Sequence, residues 1–409
     1  MLRRLIAVTL CIATIVSVPP ATADVTQSGA PGHNASLANW YAAKAQLTER
    51  HGLTLGFAYT ALYQRASDSA LQPLESRAAG RPVFGRKEAA GGDFEILGHL
   101  DLWDREGRHD ATLMFKAEAR HRFGTAVAPQ NLSREIGSVW PTGTGYREFD
   151  PSVVELWLKQ RLGGESIEAH VGKIFPLTQY DFSPLDNFRT DFVDAPESFH
   201  PSIALPNYGL GANVTMRPRR DLYLRAGIAD ANGAPERSGI ETFFETREYF
   251  SVLEAGFDPG ALDRAAGGPY ADYHLTLWHA DQRERAGRPE GWGMIASALR
   301  RIGRFTPFVR YGYSEGKRGG PALLEHMAAG GAAIDGILGR PADRIGVGLA
   351  WGRPANGLLD DQGSGEVFYR VQVTRELALT YSAQLIVNPA RNPDQDVILV
   401  SGVRGRVKF

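Results

Sequence analysis

The sequence predicts an all-β fold, a transmembrane antiparallel up-and-down β-barrel, and three observations carry that prediction. First, the stretch from Asp396 to Phe409 alternates strictly. Val397, Leu399, Val403, Val407 and Phe409 fall on one face, and Gly402, Arg404, Arg406 and Lys408 on the other. Strand side chains alternate between faces. A water-soluble core accepts no such basic inner face, whereas a barrel with lipid outside and a wet lumen inside does. Second, similar alternation recurs along the chain in sixteen segments, an even number as a single-chain barrel of this class requires. Third, short and long connectors follow one another, as they do when turns face the periplasm and loops face outside.

The chain has 409 residues. It opens with Arg3 and Arg4, an apolar run from Leu5 to Val18, then Pro19, Pro20 and Ala21-Thr22-Ala23. That pattern predicts a signal peptide over 1–23, a mature start at Asp24 and export to the outer membrane of a Gram-negative cell. The only cysteine, Cys11, lies inside the apolar run, so the mature chain is expected to hold no disulfide. Beyond the signal no apolar run reaches the length of a spanning helix. The net charge of -1 gives no case for nucleic acid as a partner.

Residues 24–52 read as a lead-in. Asp24 to Ser36 is small and polar, and Leu37 to Arg50 has helical spacing. The helix is either a plain surface helix or a periplasmic element at the barrel mouth. The barrel is expected over 53–409, with no second domain.

Its strands begin with Leu53–Arg65, Asp93–Asp104, Thr112–Phe123, Val153–Arg161 and Ser166–Phe175. In the third, Leu113, Phe115, Ala117 and Ala119 oppose Lys116, Glu118, Arg120 and Arg122. In the fourth, Val154, Leu156 and Leu158 oppose Glu155, Trp157, Lys159 and Arg161. Then come Tyr208–Arg217, Leu222–Asp230, Arg247–Phe257, Tyr270–Asp281, Gly291–Arg300 and Phe305–Glu315. Met327–Ile337, Ile345–Arg353, Glu366–Val373, Leu377–Asn388 and the final segment complete the set. One connector, Asp258–Pro269, is long for a turn. Another, Pro176–Asn207, is too long for a plain link and is rich in aromatics and charge: Tyr180, Asp181, Phe182, Asp186, Phe188, Arg189, Asp191, Phe192, Asp194 and Glu197. It is expected to fold inward and set the pore width; the alternative is an outer cap.

From Leu37 onward the chain resembles the carbohydrate-selective outer-membrane porins of the OprB type. The resemblance rests on Trp40 with Leu47-Thr48-Glu49-Arg50-His51-Gly52-Leu53, and on Val154-Glu155-Leu156-Trp157-Leu158-Lys159-Gln160. It continues in Leu224-Arg225-Ala226-Gly227 with Asn232-Gly233, in Gly339-Arg340-Pro341-Ala342-Asp343, and in Asn388-Pro389 before the last strand. It implies a sixteen-stranded barrel that passes sugars by diffusion through a constricted pore.

Alternation predicts a pore lining of Trp103, Lys116, Glu118, Arg120, Arg122, Glu155, Trp157, Lys159, Arg161, Glu168, Arg225, Arg310 and Arg370, joined by His170, Trp278, Arg404 and Arg406. Guanidinium forks donate to sugar hydroxyls, carboxylates accept from them, and indoles stack on sugar rings. Mixed charge suits neutral polyols better than one charged solute. For each residue alone, keeping the wall wet is the plainer role. Sugars, lipid and, through the Phe409 strand, the barrel assembly machinery are the expected partners; a homo-oligomer is left open. No cofactor is expected. Gly312-Tyr313-Ser314-Glu315-Gly316 matches G-x-S-x-G, but it sits where a strand runs into a glycine-rich loop rather than at a strand-to-helix elbow. No H-E-x-x-H occurs, so no metal site is indicated. A general diffusion porin and a barrel enzyme are the rival readings.

Overall fold

The structure, a computed structural model, describes residues 37–70, 85–104, 110–163, 166–259, 270–315 and 320–409. The expected signal peptide and most of the long turn Asp258–Pro269 lie outside the described residues. The strands are β1 (Leu53–Ala66), β2 (Glu88–Asp104), β3 (Asp110–Arg122), β4 (Phe149–Leu162), β5 (Ile167–Ile174), β6 (Gly209–Arg219), β7 (Leu222–Asp230) and β8 (Tyr249–Phe257). They continue as β9 (Ala271–Ala280), β10 (Gly291–Arg300), β11 (Phe305–Ser314), β12 (Leu324–Ile337), β13 (Arg340–Pro354), β14 (Gln362–Gln372), β15 (Leu377–Val387) and β16 (Val397–Lys408). Each pairs with its sequence neighbours, and β1 pairs antiparallel with β16, so the sheet closes. At the seam Tyr63 faces Val403 and Leu62 faces Arg404, and Phe57 and Phe409 exchange two backbone hydrogen bonds, 2.8 and 3.1 Å.

The alternation sorts the two faces as lipid and lumen demand. In β16, Val397, Leu399 and Val403 are exposed, while Arg404 and Arg406 are buried. Ladder pairing runs past the apolar band: β2 starts at Glu88 rather than Asp93, and β13 at Arg340 rather than Ile345. The extra residues of β2, Ala89 to Gly92, are all small and carry no apolar–polar contrast to read.

Helix α1 (Ala38–His51) precedes the barrel and ends on Gly52, whose φ of 68° closes the helix. It rests against the short-turn end, which is the periplasmic end in this class. The Tyr41 hydroxyl donates to Glu376 of the β14–β15 turn at 3.0 Å, and the Trp40 ring lies 5.6 Å from that of Phe57.

Two long connectors fold into the lumen. The one after β3 carries helix α2 (Pro129–Ile136), whose Leu132 and Ile136 pack with Ala66, Ala89, Ile386, Ile398 and Val400. The one after β5, residues 175–208, buries Leu185 and Phe192 against Leu299, Phe308, Ala333 and Phe368. The hydrophobic core thus lies inside the barrel, between these loops and the wall.

Candidate functional site

The site starts on β2 and β3, where register puts the charges in facing rows. Asp93 pairs with Arg120, and Glu95 with Glu118. Two carboxylates face each other in the second row, so cations must stand close. Lys116 Nζ lies 3.0 Å from Glu95 and 3.3 Å from Glu118; Arg120 lies 2.9 Å from Glu118; Arg406 of β16 reaches Glu95 at 2.8 Å.

The fourth cation comes from the inward loop 175–208. Arg189 Nε sits 2.8 Å from Asp93 and 3.0 Å from Glu95, and its guanidinium also donates to Glu118. Four cations thus offset three buried carboxylates. Aromatic rings fill the gaps: Phe188 lies 5.5 Å from the Arg120 guanidinium and 4.3 Å from that of Arg189, and the Tyr208 hydroxyl donates to Glu118 at 2.7 Å.

The same loop is tied to the wall in other directions. Asp181 bonds His274 of β9 at 2.9 Å and Ser297 of β10 at 2.8 Å. Asp186 pairs with Arg310 of β11 at 2.6 Å. Asp191 pairs with Arg344 of β13 at 2.8 Å, and Arg370 of β14 stands 3.8 Å away. Arg404 donates to the carbonyls of Phe188 and Asp191, both at 2.7 Å. Arg344, Arg370, Thr380 and Arg404 form one cross-strand row, so three guanidinium groups meet the loop at the same height. The loop is therefore held across the lumen, as its composition led one to expect.

Two loop carboxylates have no such partner. Asp194 and Glu197 are fully buried, and among the described residues neither has an ion pair. Both Glu197 oxygens lack a hydrogen-bond donor. Nearby Glu366 accepts from the backbone N–H groups of Val193 and Asp194 at 2.9 and 2.7 Å. Burial pushes Glu197 well above the usual carboxylate range and Asp194 up to about 7. The close contact of the Glu197 side chain with β13 leaves room only for glycine at Gly348, where a Cβ would come within 2.6 Å.

The remaining residues expected in the lining are placed as follows. Glu155, Trp157 and Lys159 point inward and are buried. Trp157 is occupied: its Nε1 donates to Glu155 at 3.2 Å and its ring lies 4.5 Å from His170. Arg161 pairs with Asp110 and Glu168 near the short-turn end. Arg225 pairs with Glu254 at 3.0 Å. Trp278 is buried in an apolar cluster with Tyr180, Ile203 and Phe250. Arg122 stands at the outer rim, half exposed, with Glu148 at 3.2 Å.

Trp103 is a correction. A bulge in β2 between Asp101 and Trp103 sets Trp103 opposite Ala111, where unbroken pairing would have set it opposite Asp110 on the face of Asp101. The extra residue reverses the alternation, and the indole lies on the outer face, 48% exposed.

Residues that the alternation missed include Arg344, which stands one position before the expected start of its strand, and the whole connector holding α2. Gln64 and Gln384 both donate to the carbonyl of Thr142 in that connector, at 2.7 and 2.9 Å. The Ser314 hydroxyl of the G-x-S-x-G match donates to the Leu324 carbonyl at 2.8 Å.

The family profile described as "Carbohydrate-selective porin, OprB family" matches residues 86–409. The chain belongs to this family. Its function is accordingly that of a carbohydrate porin, a passive channel for sugars in the outer membrane. Among solved structures, the fold is similar to OprB of Pseudomonas putida at high pH, with a TM-score of 0.68 and 15% identity over 91% of this chain and 97% of that one. The low-pH structure of the same protein gives a TM-score of 0.51 at 14% identity, with the same coverage. An engineered porin of Rh. blastica gives 0.51 at 10% identity, covering 87% of this chain and 100% of that one. At these identities the likeness speaks for the fold. No curated protein matches the sequence.

Proposed function

We propose that sugars of this OprB-family porin pass through the lumen alongside the inward loop 175–208, and that the loop, docked on the charged rows of β2 and β3, sets the selectivity. The observation that supports this most is the ring of ion pairs from Asp181, Asp186, Arg189 and Asp191 to the wall, which holds the loop in the path. Near-balanced charge favours a neutral polyol, because neither sign of ion finds a one-sided field. A hydroxyl contact to the polar lumen wall is worth about 1 kcal/mol net, enough to slow a sugar without trapping it.

The other lining residues serve this path by keeping the wall polar and orienting the charged rows. We assign residues 1–23 to a signal peptide, 24–52 to a periplasmic lead-in and 53–409 to the barrel. The outer face meets lipid, β16 with Phe409 serves as the strand read by the assembly machinery, and assembly into a homo-oligomer is compatible with the apolar wall. No catalytic role is assigned.

Single-channel recording of refolded protein, titrated with mono- and disaccharides, tests the reading. Sugar-dependent block of the ion current is expected. Open channels with no block by any sugar would favour a general diffusion porin instead.

A further inference from the structure

At the short-turn end, the β10–β11 and β12–β13 turns stand side by side because β11 pairs with β12. They are tied to each other. Arg304 donates to the Gly336 carbonyl at 2.9 Å, and the Asp335 N–H donates to the Arg304 carbonyl at 2.9 Å. Both tips are apolar: Ile302 is 59% exposed and Leu338 82%. Turns that meet only water favour Gly, Asn, Asp or Ser. Two exposed apolar tips on neighbouring turns form a patch whose cover comes from outside the chain.

Leu338 carries a backbone cost as well. Its φ of 54°, followed by 74° at Gly339, is the left-handed pair of a tight hairpin turn. Asn or Gly takes the first of these positions readily, and a leucine does not. A leucine both strained and exposed gains nothing inside this chain, so its gain lies in what covers it.

Positive charge surrounds the patch. Arg300, Arg301 and Arg304 are exposed. Among the described residues the one carboxylate they reach is Asp335, 3.4 Å from Arg301 and already bound to Arg344 at 2.6 Å. Arg300 has no ion pair there, and Arg304 bonds only the carbonyl of Gly336. The exposed apolar face of β11, Val309 and Phe305, leads into the patch, so the patch continues the wall that meets lipid.

We propose that these two turns form a docking surface for an anionic phospholipid of the inner leaflet, the leaflet that the short-turn end meets in this class. Arg300 and Arg304 take the headgroup phosphate, whose oxygens match the guanidinium fork. Ile302 and Leu338 lie against the glycerol and upper acyl carbons. A second copy of this chain is disfavoured, since a two-fold contact here would set arginines against arginines. The inference does not depend on the sugar path, and sugar block should be unchanged in every variant below.

The test uses refolded protein in micelles with equal amounts of phosphatidylglycerol and phosphatidylcholine, and native mass spectrometry to read the lipids that stay bound. Wild type should retain phosphatidylglycerol in preference. Arg300→Gln and Arg304→Gln should each lower that preference about fivefold, the size of one arginine at an anionic lipid surface. Arg219→Gln with Arg220→Gln removes two charges from the β6–β7 turn, whose tip is Arg-Arg-Asp, and should leave the preference intact. Leu338→Asn keeps all the charge and suits the left-handed backbone. It should lower retention severalfold while the unfolding temperature, read by heat-modifiable gel mobility, holds or rises. Equal retention by wild type and by the double variant of Arg300 and Arg304 overturns the site. So does an equal loss in the β6–β7 variant, which would mean bulk charge alone. Displacement of the lipid by glycerol phosphate at matching concentration also overturns it, because the apolar tips would then contribute nothing. A dimer in place of bound lipid overturns it in favour of a second copy.

Discussion

Arg189 of the inward loop stands 2.8 Å from Asp93 on the wall strand β2, and the aspartate side chain is fully buried. A buried carboxylate that loses its partner is left uncompensated. Such losses typically cost ~3–5 kcal/mol. Arg189→Gln should therefore loosen the loop while leaving the barrel closed. The expected record is a noisier channel, weaker sugar block and a shift toward cation preference, since Asp93, Glu95 and Glu118 are then offset by three cations instead of four. Sugar block and reversal potential equal to wild type would show that this tie does not hold the loop.

The faces of the final strand predict an asymmetry. Val403 faces lipid and Arg404 faces the lumen. Val403→Arg should fail to insert, because a charge facing hydrocarbon near the midplane costs about 2–4 kcal/mol. Arg404→Val should insert and close, yet release the carbonyls of Phe188 and Asp191 and change the conductance. Assembly yield in vesicles, read by heat-modifiable mobility, checks both. Equal yields would count against the assigned faces.

The rows on β3 predict a change in selectivity. Glu118→Gln with Arg120→Gln removes one charge of each sign and leaves the net charge unchanged. Sugar block should weaken severalfold and the barrel should remain closed. Titration with mono- and disaccharides provides the measurement. If block and ion selectivity match wild type, β3 is not the selectivity element and the inward loop 175–208 is the better candidate.

Asp194 and Glu197 predict a pH dependence of loop docking. Burial raises both, and Arg310, the cation that acts on Glu197, is committed to Asp186. A group whose pKa is higher in the docked state favours docking in its protonated form. That stabilisation is complete below the ordinary carboxylate range, near ~4. For Asp194 it is lost as pH rises from there to about 7. Amide hydrogen exchange across 190–200 should accelerate over this window, beyond the intrinsic rise with pH. Asp194→Asn, a permanent stand-in for the protonated acid, should flatten the change. A wild-type profile that follows only the intrinsic rate would refute it.

The barrel was legible in the sequence because most strands carry their environment in a two-residue period, β12 being an exception. Leu113, Phe115 and Ala117 against Lys116, Glu118 and Arg120 need no other information. The same rule failed at Trp103, since a bulge inserts one residue without a sequence signal and inverts everything beyond it. Arg344 was missed for a related reason: the ladder continues past the apolar band into residues that have no pattern. Arg189 and Asp191 were visible as charges of a long loop, but a loop has no period that names their partners. The α2 connector is the extreme case. Its docking depends on contacts such as Val139 N to Gln362 Oε1, between residues remote in the chain.

The pairing of β1 with β16 sets an order of events in folding. It joins segments separated by on the order of three hundred residues, and closing so long a loop is among the last contacts that chain entropy allows. The loops that fill the lumen carry apolar groups such as Leu132, Ile136 and Phe192 together with buried charge. They meet their partners most simply while the sheet is still an open, curling ribbon. The seam then acts as a lid on finished contents, and a chain that closes early would seal its inward loop outside.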